Sequence, residues 1–159
     1  MMRIKYLYIV NIAFSIFLIM GCSNTAVKEG KGVESEFPPA MTGLVRIDGI
    51  EYQMEEGNYH WERKKGLETE VVSTDHASPY QMANKIKSIS AKPNETIDIK
   101  IEEEPEISVY LWNENGREKE IEQVANQITV PSSKGKYIYE VLAEWSNGTV
   151  SYAFVIDIE

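Results

Sequence analysis

The chain has 159 residues, of which 43% are hydrophobic, and its 16 basic and 25 acidic side chains give a net charge of −9. This acidic excess disfavours binding to nucleic acid and attachment to anionic lipids by charge, because like charges repel. Cys22 is the only cysteine, which excludes an internal disulfide and a cysteine-rich metal site, so hydrophobic packing has to stabilise the fold.

Residues 1–21 are predicted to be a secretory signal peptide. Arg3 and Lys5 precede an apolar stretch over residues 6–20 that is interrupted by only two polar residues. This stretch is shorter than the ~20 residues that a membrane-spanning helix needs, so a cleaved signal is favoured over an uncleaved membrane helix.

The end of this stretch, Ile19-Met20-Gly21-Cys22, resembles a bacterial lipobox. The resemblance implies that the Cys22 thiol receives a diacylglycerol and that Cys22 becomes the first residue of the mature protein. We therefore expect the protein at the extracytoplasmic face of the cell membrane, where acyl chains hold it.

Residues 22–40 are predicted to be a flexible tether. They are rich in Lys, Glu, Gly, Ser and Asn and contain almost no large apolar residue before Phe37. A segment of this composition cannot bury a hydrophobic core. The folded domain is therefore expected over residues 41–159.

Short stretches of alternating apolar and polar residues follow, separated by turn signals. Asp48-Gly49 favours a two-residue hairpin turn, and the clearest alternation runs over residues 97–102. Ser78 and Pro79 predict a short helix over residues 79–85, since serine caps free helix amides and proline fits the first helical position.

The strongest pattern lies in residues 136–145 and 150–158, which predict a long hairpin turning at Asn147-Gly148. The residues that precede and begin the first of these strands, Gly135-Lys136-Tyr137-Ile138-Tyr139, resemble the start of the penultimate strand of immunoglobulin-like sandwiches, where a tyrosine ties a corner. Here Tyr139 stands where antibody-type domains have a cysteine. The sequence predicts one all-β domain, an antiparallel immunoglobulin-like β-sandwich of eight or nine strands with one short helix.

No arrangement of catalytic or metal-binding residues stands out in the sequence. Asp75-His76-Ala77-Ser78 contains the residue types of a hydrolytic triad, but neighbours in sequence cannot bring three side chains into a relay. His60 and His76 lie on separate predicted elements without metal-ligand spacing. The acidic run at residues 102–106 lacks the alternating ligands and central glycine of a calcium loop. We therefore expect neither an enzyme nor a bound metal or cofactor.

Aromatic side chains provide the candidate binding residues. An exposed aromatic pair can form a platform for a sugar ring or a peptide. Tyr110 and Trp112 share one face of a predicted strand, whereas Ile107, Val109 and Leu111 share the other. If the aliphatic face is buried, the aromatic face is either covered by the short helix, which we favour, or open to a ligand. Trp145 is expected in the core, and the candidate ligand-binding residues are Trp61, Asp75, Tyr110 and Trp112.

Several motifs together resemble a group of small uncharacterised lipoproteins of low-GC Gram-positive bacteria. They are Gly57-Asn58-Tyr59-His60-Trp61, Thr74-Asp75-His76-Ala77-Ser78-Pro79, Lys92-Pro93 and Val109-Tyr110-Leu111-Trp112. The resemblance implies an exported, lipid-anchored domain and supplies no catalytic residues.

The expected function is a non-catalytic binding or assembly module. Its expected partners are the membrane, through the lipid on Cys22, and an envelope protein or glycan, but no nucleic acid. The alternative is a regulator or inhibitor of an extracytoplasmic hydrolase, because the segment from Gly135 to Trp145 also resembles sandwich-type proteinase inhibitors.

Overall fold

The computed structural model describes residues 36–159, which contain eleven β-strands and one short α-helix. In chain order they are β1 (Gly43–Ile47), β2 (Ile50–Gln53), β3 (Glu55–Lys65), β4 (Glu68–Thr74), α1 (Pro79–Met82), β5 (Ile89–Ala91), β6 (Thr96–Ile101), β7 (Glu106–Asn113), β8 (Gly116–Ile121), β9 (Gln127–Thr129), β10 (Gly135–Trp145) and β11 (Gly148–Ile158). The predicted signal peptide, Cys22 and most of the predicted tether lie outside the described residues.

The strands form two sheets whose inner faces share one hydrophobic core. The smaller sheet has the order β2-β1-β6-β9, and the larger has the order β4-β3-β11-β10-β7-β8, with β5 pairing in parallel with the second half of β11. The order β11-β10-β7-β8 and the β6-β9 pair match the strand arrangement of immunoglobulin-like sandwiches. The predicted antiparallel β-sandwich is confirmed, and β1 to β4 extend it at the N-terminal side.

Alternation of side chains explains which residues form the core. Val45, Ile97 and Ile99 from the smaller sheet meet Val141 and Phe154 from the larger one, and each of these side chains is at most 3% exposed. In β7, Val109 and Leu111 are buried as the alternation predicted. At about 1.5 to 3 kcal/mol for each fully buried aliphatic or phenyl side chain, these contacts are the main favourable contribution to folding.

The predicted tyrosine corner is present at the start of β10. The hydroxyl of Tyr137 donates to the backbone carbonyl oxygen of Ser133 at 3.0 Å, four residues earlier in the chain. Two residues later, the Tyr139 ring stacks on Phe154 of β11 with centroids 4.9 Å apart. Tyr139 thus occupies the strand position at which antibody-type domains have a cysteine, and its ring is part of the core.

The predicted hairpin turn and helix start are confirmed, but the helix is shorter than predicted and the strands are more numerous than the eight or nine expected. Asp48 and Gly49 both have positive φ angles between β1 and β2, and Ser78 caps α1 in a capping box with Gln81. The helix ends at Met82 instead of continuing to residue 85. Three strands show no clear alternation in the sequence, because β5 and β9 have only three residues each and β8 is mostly charged. The structure therefore has eleven strands.

Candidate functional site

A buried carboxylate lies at the centre of the outer face of the larger sheet, the face that points away from the core. Glu140 is in the middle of β10, and its side chain is only 6% exposed. Trp112 Nε1 donates to one carboxylate oxygen at 2.7 Å, and Ser151 Oγ donates to the other at 2.8 Å. Arg117 donates to both oxygens, at 2.8 and 3.1 Å. We call these four residues the Glu140 cluster, and they join β7, β8, β10 and β11.

The hydrogen bonds in the Glu140 cluster stabilise the ionised carboxylate. Burial alone would raise the pKa of Glu140, because a poorly solvated site disfavours charge. The hydrogen bonds from Arg117, Ser151 and Trp112 outweigh burial and hold the pKa of Glu140 below its ordinary value. Four hydrogen bonds also fill the acceptor sites of a carboxylate. Glu140 is therefore positioned to stabilise the fold rather than to take a proton from a ligand.

Arg117 links the Glu140 cluster to Tyr110. Its guanidinium carbon lies 3.9 Å from the centroid of the Tyr110 ring, which is a favourable cation–π geometry. Arg117 thus occupies one face of this half-buried ring. Of the two aromatic residues predicted on this face, Tyr110 is therefore the less accessible to a ligand.

The short helix α1 covers part of the outer face, as we favoured from the sequence. It lies against β7, β10 and β11, and Pro79 and Ala83 are buried there. A β-carbon on Gly57 would lie 3.6 Å from the sulfur of Met82, so the helix also approaches β3 closely at a position without a side chain. The cover is incomplete, because Trp112 is only half-buried.

A groove remains open beside Trp112, between the start of α1, the β7–β8 turn and the start of β10. It has a volume of about 450 Å³. It is lined by three aromatic residues and several polar ones: Tyr80, Trp112, Tyr137, Asn113, Asn115, Glu118 and Lys136. We call it the aromatic groove. Tyr80 is 40% exposed and offers the most accessible ring in it.

The structure separates the other sequence candidates from the aromatic groove. Trp61 is 1% exposed and packs against Trp145 in the core, so its ring is closed to any ligand. Asp75 is exposed in the loop before α1, and it does not line the groove. Cys22 lies outside the described residues.

The described residues were also compared with the requirements of a metal site, a second groove and a membrane-spanning helix. Among residues 36–159, no group of three or more His, Cys, Asp or Glu side chains is arranged to hold a metal ion. A second groove of about 440 Å³ is lined by Trp145 and by acidic residues such as Glu103, Glu104 and Glu144. Within the same residues, no helix has the length and apolar character needed to cross a membrane.

Sequence reasoning missed Arg117, Glu140 and Ser151 as members of this region, and it expected Tyr80 to pack on the sheet, whereas Tyr80 is 40% exposed. Arg117 and Glu140 are 23 residues apart, and no local spacing connects them. One signal was present in β11, where Ala153 and Val155 continue an apolar pattern on the face opposite Phe154. A strand that is apolar on both faces is covered on both sides, and this pattern predicts that something packs on the outer face.

The chain matches no protein-family model, and neither a curated protein nor a solved structure matches it at a significant level. Its function therefore has to be argued from its own residues.

Proposed function

We propose that this protein is a lipid-anchored, extracytoplasmic binding module that holds an envelope glycan in the aromatic groove and catalyses no reaction. The observation that carries the proposal is the juxtaposition of the aromatic residues Tyr80 and Trp112 with amide and carboxylate residues in one open groove. Aromatic rings pack against the C–H faces of sugars, and neighbouring amides and carboxylates bind hydroxyl groups. A volume of about 450 Å³ lies within the usual range for small-ligand sites.

The state of Glu140 supports a non-catalytic role. A general base needs a free acceptor site within reach of its substrate. Glu140 is the most buried carboxylate near the aromatic groove, but its oxygens are already occupied by Trp112, Ser151 and Arg117. Its lowered pKa makes it a weak base, which suits a group that orders Trp112 beside the groove.

A titration tests the glycan proposal. Residues 36–159 contain the whole described core, so this fragment can be titrated with soluble cell-wall glycan fragments while binding is followed by calorimetry or NMR. Tyr80→Ala should weaken binding at least about tenfold, because aromatic contacts dominate small-ligand sites. It should leave the melting temperature nearly unchanged, because Tyr80 is 40% exposed.

A matched control is Val124→Ala, which truncates a 75% exposed side chain outside the groove and should not change the affinity. Unchanged affinity in Tyr80→Ala would remove the groove as the site. Binding of envelope peptides, but not of glycans, would keep the site and replace the ligand class.

The anchor is tested separately in cells. Cys22→Ala should release the protein from the membrane without changing its thermal stability, because two acyl chains, at about 0.8 kcal/mol per buried CH₂, would provide the attachment. Mass spectrometry of the mature wild-type protein should find a diacylglycerol on Cys22. An unmodified Cys22 would overturn this part of the proposal.

A further inference from the structure

The outer strands of the two sheets differ in how they are protected against pairing with another chain. An edge strand exposes unpaired backbone amides and carbonyls, and proteins protect such edges by shortness, bulges or charge. In the smaller sheet, β2 has four residues and β9 has three. In the larger sheet, β8 carries four consecutive charged residues and a register shift against β7.

The remaining outer strand, β4, is neither short nor bulged, and its only charged residues are Glu68 and Glu70. It is seven residues long and pairs with β3 in one continuous register, without a bulge or a proline. On its outer face it presents only Thr69, Val71 and Ser73, and Val71 is 51% exposed. A regular edge of this length, about 23 Å, is long enough to accept another strand.

We infer that two copies of this chain associate by antiparallel pairing of β4 with β4 around a twofold axis at Val71. The symmetry places Val71 opposite the partner's Val71, and it places Thr69 opposite the partner's Ser73. Glu68 then faces the partner's Thr74, and Glu70 faces the partner's Val72. No two like charges stand directly opposite each other, so the edge is complementary to itself.

The local charge also favours a second copy of this chain as the partner of β4. The protein as a whole carries −9, which makes two copies repel each other. Residues 60–74, which form most of the β3–β4 hairpin, contain three basic and three acidic side chains and are therefore locally neutral. Glu70, the acidic residue nearest the axis, is bonded to Arg63 at 2.8 Å. The twofold axis thus lies in a neutral region of an acidic protein.

Such a dimer would join two larger sheets into one continuous sheet and would leave both aromatic grooves open, because β4 and β8 are at opposite ends of the sheet. The contact is small, so we expect weak association in dilute solution. Anchoring both copies in one membrane would raise their effective concentration and favour pairing. The inference does not depend on which ligand the groove binds.

Sedimentation equilibrium of residues 36–159 over a range of concentrations tests the pairing. We expect a reversible monomer–dimer equilibrium in the wild type. Val71→Lys should lower the association constant at least about tenfold, because it places two like charges at the axis. The matched control Ile50→Lys changes an aliphatic residue that is 57% exposed on the β2 edge, and it should leave the association constant within about twofold.

A disulfide trap gives a second readout that does not depend on Val71→Lys being folded. Directly opposed residues of antiparallel strands have Cα atoms about 4.5 to 5.5 Å apart, within the range that a disulfide bridges. This fragment lacks Cys22, so Val71→Cys carries a single thiol, and a mild oxidant such as copper phenanthroline should link two copies. Ile50→Cys should link much more slowly. Equal rates for the two variants, or a wild-type mass that stays monomeric at all concentrations, would overturn the inference.

Discussion

The indole rings of Trp61 and Trp145 meet above Gly148, with ring centroids 5.0 Å apart. The two tryptophans lie on β3 and β10, the strands on either side of β11, and both pair with Gly148. Strands two positions apart in a sheet are separated by roughly 9.6 Å. The rings reach each other because Gly148 has no side chain between them.

Gly148→Ala should therefore destabilise the domain strongly. A β-carbon at this position would overlap the Trp61 ring and would lie 2.7 Å from the carbonyl oxygen of His60. Trp61 is buried and has no space to move into, so we expect a loss of about 3 kcal/mol in the free energy of unfolding, the upper end for overpacked cores. Chemical denaturation of the variant measures this loss.

Gly49→Ala provides the control for this substitution. Gly49 has a φ of 81° and open space around it, so alanine there meets backbone strain but no clash. The expected cost is about 1 kcal/mol. If Gly148→Ala costs no more than Gly49→Ala, the close packing of Trp61 is not what requires the glycine.

Glu140→Gln should destabilise the domain more than removal of a surface charge does. The variant keeps the shape of the side chain but leaves Arg117 without its ionic partner. Because Arg117 is itself 41% exposed and can be solvated, we expect about 2 kcal/mol, below the range for a fully buried pair. The matched variant Asp98→Asn breaks the more exposed pair with Arg46 and should cost less than about 1 kcal/mol. Equal losses in the two variants would contradict a special role for the Glu140 cluster.

The lowered pKa of Glu140 predicts a loss of stability in acid. Its contribution is fully present above the ordinary carboxyl pKa of 4.5 and is lost as the pH falls through the lower pKa of the folded state, because the unfolded chain binds the proton first. The melting temperature of the wild type should therefore fall below about pH 4.5. The melting temperature of Glu140→Gln should fall less over the same range. Parallel curves for the two proteins would assign the acid sensitivity to other groups.

Replacement of tyrosine by phenylalanine should have opposite effects on stability at Tyr137 and at Tyr139, two residues apart in β10. Tyr137→Phe removes the hydrogen bond to the Ser133 carbonyl and should cost about 1 kcal/mol. The hydroxyl of Tyr139 is buried without a hydrogen-bond partner among the described residues, and burial raises the pKa of its phenol. Tyr139→Phe should therefore leave stability unchanged or increase it. Thermal unfolding of the two variants side by side distinguishes the two hydroxyls.

Alternation and turn residues were sufficient to predict the fold class. The apolar series in residues 136–145 and 150–158 has a period of two over about ten residues, and it predicted β10 and β11, the two central strands of the larger sheet. The prediction failed where this pattern is short or absent. In β8, charged side chains occupy positions 117–120, and the strand is held by its pairing with β7 and by the contacts of Arg117.

The candidate site was only partly predictable. The opposite faces of β7 follow from alternation, so the outward direction of Tyr110 and Trp112 could be predicted from the sequence alone. Whether Trp112 is covered depends on where α1 crosses the sheet, and no local pattern encodes that position. The role of Gly148 was also missed, because Asn147-Gly148 was interpreted as a turn, whereas Gly148 is the first residue of β11 and is required by the distant Trp61.

The position of β11 sets an order on folding. This strand is the last of the eleven to be synthesised, yet it is the common partner of β3, β5 and β10 inside the larger sheet. Until residues 148–158 have been synthesised, Trp61 and Trp145 cannot pack together over Gly148, and no strand connects β3 to β10. The larger sheet therefore cannot assemble progressively from its N-terminal side while the chain is being made.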